Sequence, residues 1–290
     1  MKRLVTLMLA AMMTLSMAAT ASALEVNVKG NFHFSFRWQD NMKGGQQFRD
    51  VEEDTFLARQ RMRLQVEFIA SENLKGVLYL HSGTTDYFWG QGGAQLDTTS
   101  DTLKVRHAYI DWNVADTNLN VKMGLQQVAS PGFAAGSTFT NDAMAGITLT
   151  NGFNENVAAS LGWYRLYSGS QIKDSVDMFM LSVPLTFDSF KITPWGEYTF
   201  IGRDADMYEQ GYTPAGGAYE KKRKMYHLGV ASEFNPIDPL TLAFDFTYGA
   251  VDSRGNDPET DGWMLVGMAT YDVDFAELML GAWYATGNDD

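Results

Sequence analysis

The sequence predicts an all-β protein, a transmembrane antiparallel up-and-down β-barrel. Three observations predict it: apolar and polar residues alternate with a period of two along most of the chain, the alternating segments are long, and short and long connections alternate between them. The chain has no cysteine, so no disulfide framework is available. Its formal net charge of -13 disfavours nucleic acid as a partner.

The amino-terminal segment is typical of a secretory signal peptide. A basic start at residues 1–3 precedes the apolar stretch 4–19, and the sequence ASA at residues 21–23 matches a small-x-small cleavage site. We therefore expect residues 1–23 to be a signal peptide and residues 24–290 to form one barrel domain. Beyond residue 23 there is no run of about 18 apolar residues, so no membrane helix is predicted.

The first predicted strand, residues 25–39, shows the alternation most clearly. Its apolar residues share one parity: Val26, Val28, Phe32, Phe34, Phe36 and Trp38. Its polar residues share the other: Asn27, Lys29, Asn31, His33, Ser35 and Arg37. Such a strand has one apolar face and one wetted face, as a strand between lipid and water requires.

The second predicted strand, within residues 55–70, places three arginines on its polar face: Arg59, Arg61 and Arg63. Weaker or equal alternation marks further strands, giving about thirteen in all. They lie within residues 74–81, 107–114, 118–126, 144–150, 157–167, 177–187, 190–200, 226–234, 240–248, 263–271 and 275–284. Many of these segments reach the roughly 9 to 11 residues that a tilted membrane strand needs.

The connections between strands support the same fold. Short turns such as SEN at residues 71–73 alternate with longer loops such as 40–54, 129–142 and 202–222. An up-and-down barrel has short turns at one rim and long loops at the other. The alternative, a secreted β-sandwich, explains neither this sorting nor an inner face that carries three arginines.

The residue types that carry catalysis or bind metals give no pattern here. The four histidines, His33, His81, His107 and His227, fall on inward-facing positions, and no metal-ligand spacing or phosphate-binding loop accompanies them. We therefore predict no catalytic residue, no cofactor and no metal site. The protein is not expected to be an enzyme.

In the order of its motifs the chain resembles bacterial general (trimeric) outer-membrane porins, most closely the outer membrane homotrimeric porin family. The segments that carry the resemblance are ASA before the mature chain, VNVKGNFHFSF, ARQRMRLQVEF, VRHAYIDWNV and LNVKMGLQ. Many family members have an arginine between the last Gly and Gln, where this chain has Leu125. The resemblance covers the chain from Leu24 onward.

This resemblance implies an exported Gram-negative outer-membrane protein, in contact with outer-membrane lipid, that forms a homotrimer. It also implies a water-filled channel for passive diffusion of ions and small hydrophilic solutes. The loop after the fifth predicted strand, residues 129–142, would be a constriction loop whose one acid is Asp142. The wall facing it would be basic, with Arg37, Arg59, Arg61 and Arg63. Because the loop has so few acids, we expect a mild anion preference.

Two other functions remain open. A substrate-specific sugar or oligosaccharide channel would use aromatic side chains that line the lumen, for which Tyr79, Tyr109 and Trp195 are candidates. A non-transporting structural barrel or adhesin would have a plugged lumen. The chain ends in YATGNDD after an odd number of predicted strands, and we expect it to be a carboxy-terminally truncated piece of a barrel of about 16 strands.

Overall fold

The computed structural model describes residues 24–39, 55–82, 87–89, 103–168, 175–202, 223–253 and 260–286. The predicted signal peptide lies outside the described residues. The strands are β1 (Glu25–Gln39), β2 (Thr55–Ser71), β3 (Leu74–Ser82), β4 (Tyr87–Phe88), β5 (Leu103–Asn113), β6 (Leu119–Ala129), β7 (Asn141–Gly152), β8 (Ala158–Tyr167), β9 (Val176–Ser182), β10 (Leu185–Thr186), β11 (Phe190–Ile201), β12 (Arg223–Ile237), β13 (Leu240–Ser253), β14 (Thr260–Val273) and β15 (Ala276–Ala285). The described part of the chain contains no helix long and apolar enough to cross a membrane.

All strands belong to one antiparallel sheet in which neighbours in sequence are neighbours in space. The hydrogen-bonded path runs β1-β2-β3-β5-β6-β7-β8-β9-β11-β12-β13-β14-β15, which confirms the predicted number of thirteen strands. The segment 177–187, predicted as one strand, is instead divided into β9 and β10, with Pro184 between them. The two remaining strands, β4 and β10, have two residues each and pair with β2 and β11 off this path. In the described ranges no pairing joins β1 to β15.

The polarity of the two faces of the sheet is the reverse of that in a soluble protein, because large apolar side chains are exposed and polar side chains are buried. Along β13, Ala243, Asp245 and Thr247 are 2%, 3% and 2% exposed, whereas the intervening Phe244 and Phe246 are 48% and 42% exposed. A soluble protein buries its large apolar side chains and exposes its charges. The reverse arrangement is what a barrel wall needs, because its outer face meets hydrocarbon and its inner face does not.

The loop after β6 shows that the sheet is strongly curved. Residues 130–140 connect β6 to β7, yet the backbone N–H of Phe133 donates to Asp245 on β13. In a flat sheet the six strand spacings from β6 to β13 would span about 29 Å. The four residues from Ala129 to Phe133 reach at most about 14 Å. The strands therefore curl so that this loop crosses the concave side, and we call the side chains on that side inward-facing.

Candidate functional site on the concave face

The loop of residues 130–140 is built around one serine and two glycines. The hydroxyl Oγ of Ser130 accepts from the backbone N–H groups of Phe139 and Thr140 at 3.5 and 3.4 Å, which ties the two ends of the loop together. Gly136 has a φ of 68°, a left-handed conformation that favours glycine. A side chain at Gly132 would collide with the backbone of Gly136, so the turn is too tight for any other residue there.

The buried carboxylate of Asp245 anchors the tip of this loop. Its two oxygens accept hydrogen bonds from the successive backbone N–H groups of Phe133, Ala134 and Ala135, each at 2.8 Å. Three consecutive N–H groups aimed at one anion form a backbone nest, and bonds to a charged acceptor contribute about 1.5–3 kcal/mol each. The loop tip is thus fixed to β13.

A second buried carboxylate, Glu197 on β11, holds the carboxy-terminal end of the loop. Its Oε2 accepts from the hydroxyl of Thr140 at 2.5 Å, and its Oε1 lies 3.4 Å from Nδ1 of His227 on β12. The ring of Phe139 packs against the His227 ring with centroids 4.4 Å apart. We call the inward-facing side of β11–β13, with the loop attached to it, the packed wall.

Large rings on the concave side lie over glycines of neighbouring positions. The Trp195 ring occupies the space where Gly229 on the adjacent β12 would carry a side chain, at 2.5 Å from its Cβ position. The His227 ring lies 2.6 Å from the equivalent position of Gly249 on β13. Glycine at these two positions therefore leaves room for the rings. Trp195, a predicted lumen aromatic, faces inward but is only 5% exposed.

The predicted arginines lie together on the inward-facing side of β2. Arg59, Arg61 and Arg63 are opposite Ser35, His33 and Asn31 of β1, and Arg63 is also opposite His81 of β3. All three side chains are half-buried, whereas Arg37 on β1 is exposed. We call this inward-facing side of β1–β3 the basic wall.

Two of these arginines have no counter-ion in the described part of the chain. No carboxylate lies within 4 Å of the guanidinium of Arg61 or Arg63, and the Nε atom of each is buried without a hydrogen-bond partner. Like charges two residues apart on one strand face repel each other. The arrangement is electrostatically suited to an anion in the adjacent space.

Elsewhere on the concave side of these strands, oppositely charged side chains of neighbouring strands form ion pairs. Lys29 on β1 lies 3.7 Å from Glu67 on β2, and Lys75 on β3 lies 3.8 Å from Asp111 on β5. The concave side of β1–β5 therefore carries two zones. The balanced zone surrounds these two ion pairs, and a zone of excess positive charge lies at Arg61 and Arg63 of β2.

Asp142 is separate from both groups of charges. It lies in β7 rather than in the loop, because the loop ends at Thr140 and β7 begins at Asn141. Its side chain is exposed, and its Oδ1 accepts from the backbone N–H of the next residue, Ala143, at 2.7 Å. Among the described residues, the acids that contact the loop are Glu197 and Asp245, which were not predicted from the sequence.

A row of rings crosses β3 and β5 beside the balanced zone. The rings of Tyr79 and His107 have centroids 5.1 Å apart, and those of His107 and Tyr109 6.4 Å apart. The Lys122 ammonium on β6 lies 5.3 Å from the centroid of the Tyr109 ring, and Gln127 Oε1 lies 3.4 Å from His107 Nε2. Tyr79 and Tyr109, the other predicted lumen aromatics, are thus neighbours on the concave side.

Within the ranges that the structure describes, no group of three or more histidine, aspartate or glutamate side chains is close enough to hold an ion.

Comparison with known proteins identifies the fold. No protein-family model and no curated protein sequence matches the chain. Among solved structures, OmpF of Salmonella typhi in complex with daunomycin matches with a TM-score of 0.51 and 11% identity, over 91% of this chain and 79% of that one. OmpT of Vibrio cholerae, an outer membrane protein in a trimer form, gives 0.45 and 10% over 91% and 89%.

The outer membrane channel DcaP of Acinetobacter baumannii gives a TM-score of 0.45 and 13% identity over 92% of this chain and 91% of that one. At such low identities the likeness concerns the fold, and the match to OmpF carries it. The chain has the antiparallel up-and-down fold of outer-membrane porin barrels. The predicted fold class is therefore confirmed.

Proposed function

We propose that this protein is an outer-membrane channel of a Gram-negative bacterium through which ions and small hydrophilic solutes diffuse passively. The proposal rests on one combined observation. The sheet has exposed apolar side chains on its outer face and polar side chains on its concave face, and a loop crosses that concave face. An apolar outer face suits lipid, and a polar inner face suits water. The proposal includes assembly as a homotrimer and no enzymatic activity.

In this channel, residues 130–140 would be the constriction loop. Its hydrogen bonds within the described chain go to Asp245, to Glu197 and to the loop itself. A loop held on β11–β13 narrows the lumen from one side and makes no described hydrogen bond to the basic wall. The narrowest passage would then lie between the loop and the arginines of β2.

The basic wall would set the ion preference. Arg61 and Arg63 lack counter-ions in the described part of the chain, while the acids Glu197 and Asp245 are buried under the loop and engaged by it. A lumen lined by unneutralised cations attracts anions and repels cations. We therefore propose a mild anion preference, with Arg37 and Arg59 adding to the same field and Asp142 opposing it.

Planar bilayers containing the purified protein test this function. We expect stepwise conductance and, in a potassium chloride gradient, a reversal potential that indicates preference for chloride. The double substitution Arg61→Gln and Arg63→Gln should move the reversal potential toward potassium preference. Absence of conductance steps from correctly folded protein would reject the channel, and unchanged selectivity in the double variant would reject the role of these arginines.

A substrate-specific sugar channel is the second candidate, and a specific observation favours it. The adjacent rings of Tyr79, His107 and Tyr109 offer the flat apolar faces on which sugar C–H groups pack. A general diffusion channel has no need of such a row. Block of the ion current by sugars at low concentration would distinguish this function from general diffusion.

A further inference from the structure

Within the described residues, the Lys122 side chain on β6 is a cation without a carboxylate partner. In the sheet it is directly opposite Asp111 on β5. That carboxylate is already engaged, because its Oδ2 lies 3.8 Å from Lys75 Nζ and its Oδ1 accepts from Asn120 Nδ2 at 2.6 Å. The Lys122 ammonium instead lies over the ring of Tyr109.

The same lysine lines a small cavity on the concave side of β6–β9. The cavity has a volume of about 170 Å³, which suits a single small solute rather than a polymer. Most of its described polar lining consists of hydroxyl and amide groups, and none of the described lining residues is an aspartate or glutamate. These groups belong to Gln126, Gln127, Thr148, Ser160, Tyr164 and Ser182.

The lining has unused hydrogen-bonding capacity. Thr148 is already bonded to Gln126 and to the Tyr164 hydroxyl, at 3.0 and 2.7 Å. In contrast, within the described chain neither the Lys122 ammonium nor the Ser182 hydroxyl has a hydrogen-bond partner. A ligand that brings a carboxylate for the lysine and hydroxyls for the remaining groups would satisfy both.

Two residues that line this cavity, Lys122 and Gln127, also contact the row of rings formed by Tyr79, His107 and Tyr109. Lys122 lies over Tyr109, and Gln127 approaches His107, so the rings and the polar cavity form one continuous surface. A ring face complements the C–H side of a pyranose, while hydroxyls and amides complement its O–H groups. The lysine adds a preference for a negative charge.

We propose that this surface binds small polyhydroxylated monocarboxylates, of the size of a single hexuronate, as they pass through the channel. Lys122 binds the carboxylate, the cavity hydroxyls and amides bind the sugar hydroxyls, and the row of rings contacts the C–H face. The inference rests on the proposed channel function and narrows it to a solute class. It also separates this site from the basic wall, since Lys122 is on β6 and the arginines are on β2.

The test measures current block in planar bilayers by three sodium-salt or neutral probes: glucuronate, glucose and acetate. We expect glucuronate to half-block the current at a concentration about tenfold lower than glucose or acetate, because neither of these makes both sets of contacts. Lys122→Gln should raise the half-blocking concentration of glucuronate about tenfold and leave that of glucose unchanged.

Lys29→Gln is the matched control, because Lys29 is also a concave-side lysine but is paired with Glu67 on β2, away from Lys122. It should leave glucuronate block unchanged. Circular dichroism of both variants checks that the sheet is intact. Equal block by glucuronate and acetate, or an undiminished glucuronate block in Lys122→Gln, would overturn the site.

Calorimetric titration of the folded protein in detergent with glucuronate separates the two proposals. Binding that Lys122→Gln weakens, without conductance in bilayers, would retain the site and reject the channel. Conductance without glucuronate binding or block would retain the channel and reject the site.

Discussion

The packed wall and the basic wall carry charged side chains at equivalent inward-facing positions of the same sheet, but in opposite states. Glu197 and Asp245 are 6% and 3% exposed, and the loop of residues 130–140 donates hydrogen bonds to both. Arg61 and Arg63 are half-buried and have no carboxylate within reach in the described chain. The charges of the packed wall are engaged by the loop, whereas Arg61 and Arg63 of the basic wall have no described partner.

This difference teaches that alternation alone does not determine what an inward-facing residue does. A buried carboxylate is tolerated only where donors satisfy it, and the loop supplies those donors. An unpaired guanidinium is tolerated only where water or a mobile anion reaches it. The comparison predicts that substitutions on the packed wall change stability, whereas those on the basic wall change transport.

Asp245→Ala should have the largest effect. It removes the acceptor of three backbone N–H groups and should lower the free energy of unfolding by about 3–5 kcal/mol, with the loop released from β13. Urea unfolding in detergent measures the stability, and limited proteolysis of residues 130–140 reports the released loop. Asp142→Ala is the control, since its bond goes to its own neighbour Ala143. Equal losses in the two variants would contradict the anchoring role.

Gly229→Ala should have the next largest effect. The new methyl group would lie 2.5 Å from the Trp195 ring, and overpacking of this kind costs about 1–3 kcal/mol. Gly30→Ala on β1 is the matched control, because its methyl group would meet ordinary contacts at 3.6 Å. Chemical unfolding of both variants checks the difference. A tolerated Gly229→Ala would mean that the packed wall is looser than its geometry indicates.

The contact between Thr140 and Glu197 should contribute a smaller amount. A double-mutant cycle of Thr140→Val and Glu197→Gln measures their coupling without counting the other partners of each residue. We expect a coupling free energy of about 1–2 kcal/mol, because a hydroxyl donates to a buried carboxylate there. Coupling near zero would show that the end of the loop is held by other contacts, such as those of Ser130.

The sequence predicted the strands well and the use of the concave side poorly. All thirteen path strands lie in segments with the period-two pattern. The pattern runs through residues 177–187 without showing the break between β9 and β10, and β4 is too short to show a period. The resemblance to porins drew attention to the loop, but Glu197 and Asp245 gave no signal, because alternation says that they face inward and not what lies opposite. The same limit applies to Trp195, which faces inward as predicted but is covered.

The smallest effect on stability should come from the basic wall. Replacing Arg61 and Arg63 by glutamine removes a repulsion and no described ion pair, so at low salt the free energy of unfolding should change by only about 0.5 kcal/mol or less. The salt dependence of the free energy of unfolding tests the same contrast between the two walls. Raising ionic strength from 0.01 to 1 M shortens the screening length from about 30 to about 3 Å, which weakens repulsion and attraction alike.

The unsubstituted protein should therefore gain stability with salt at the arginines, and the double variant should lose that gain. Lys75→Gln removes an attraction to Asp111 instead, so its effect on the salt dependence should have the opposite sign. Urea midpoints at the two salt concentrations measure both. If the arginine and lysine variants shift the salt dependence in the same direction, then Arg61 and Arg63 have counter-ions, and the contrast between the two walls disappears.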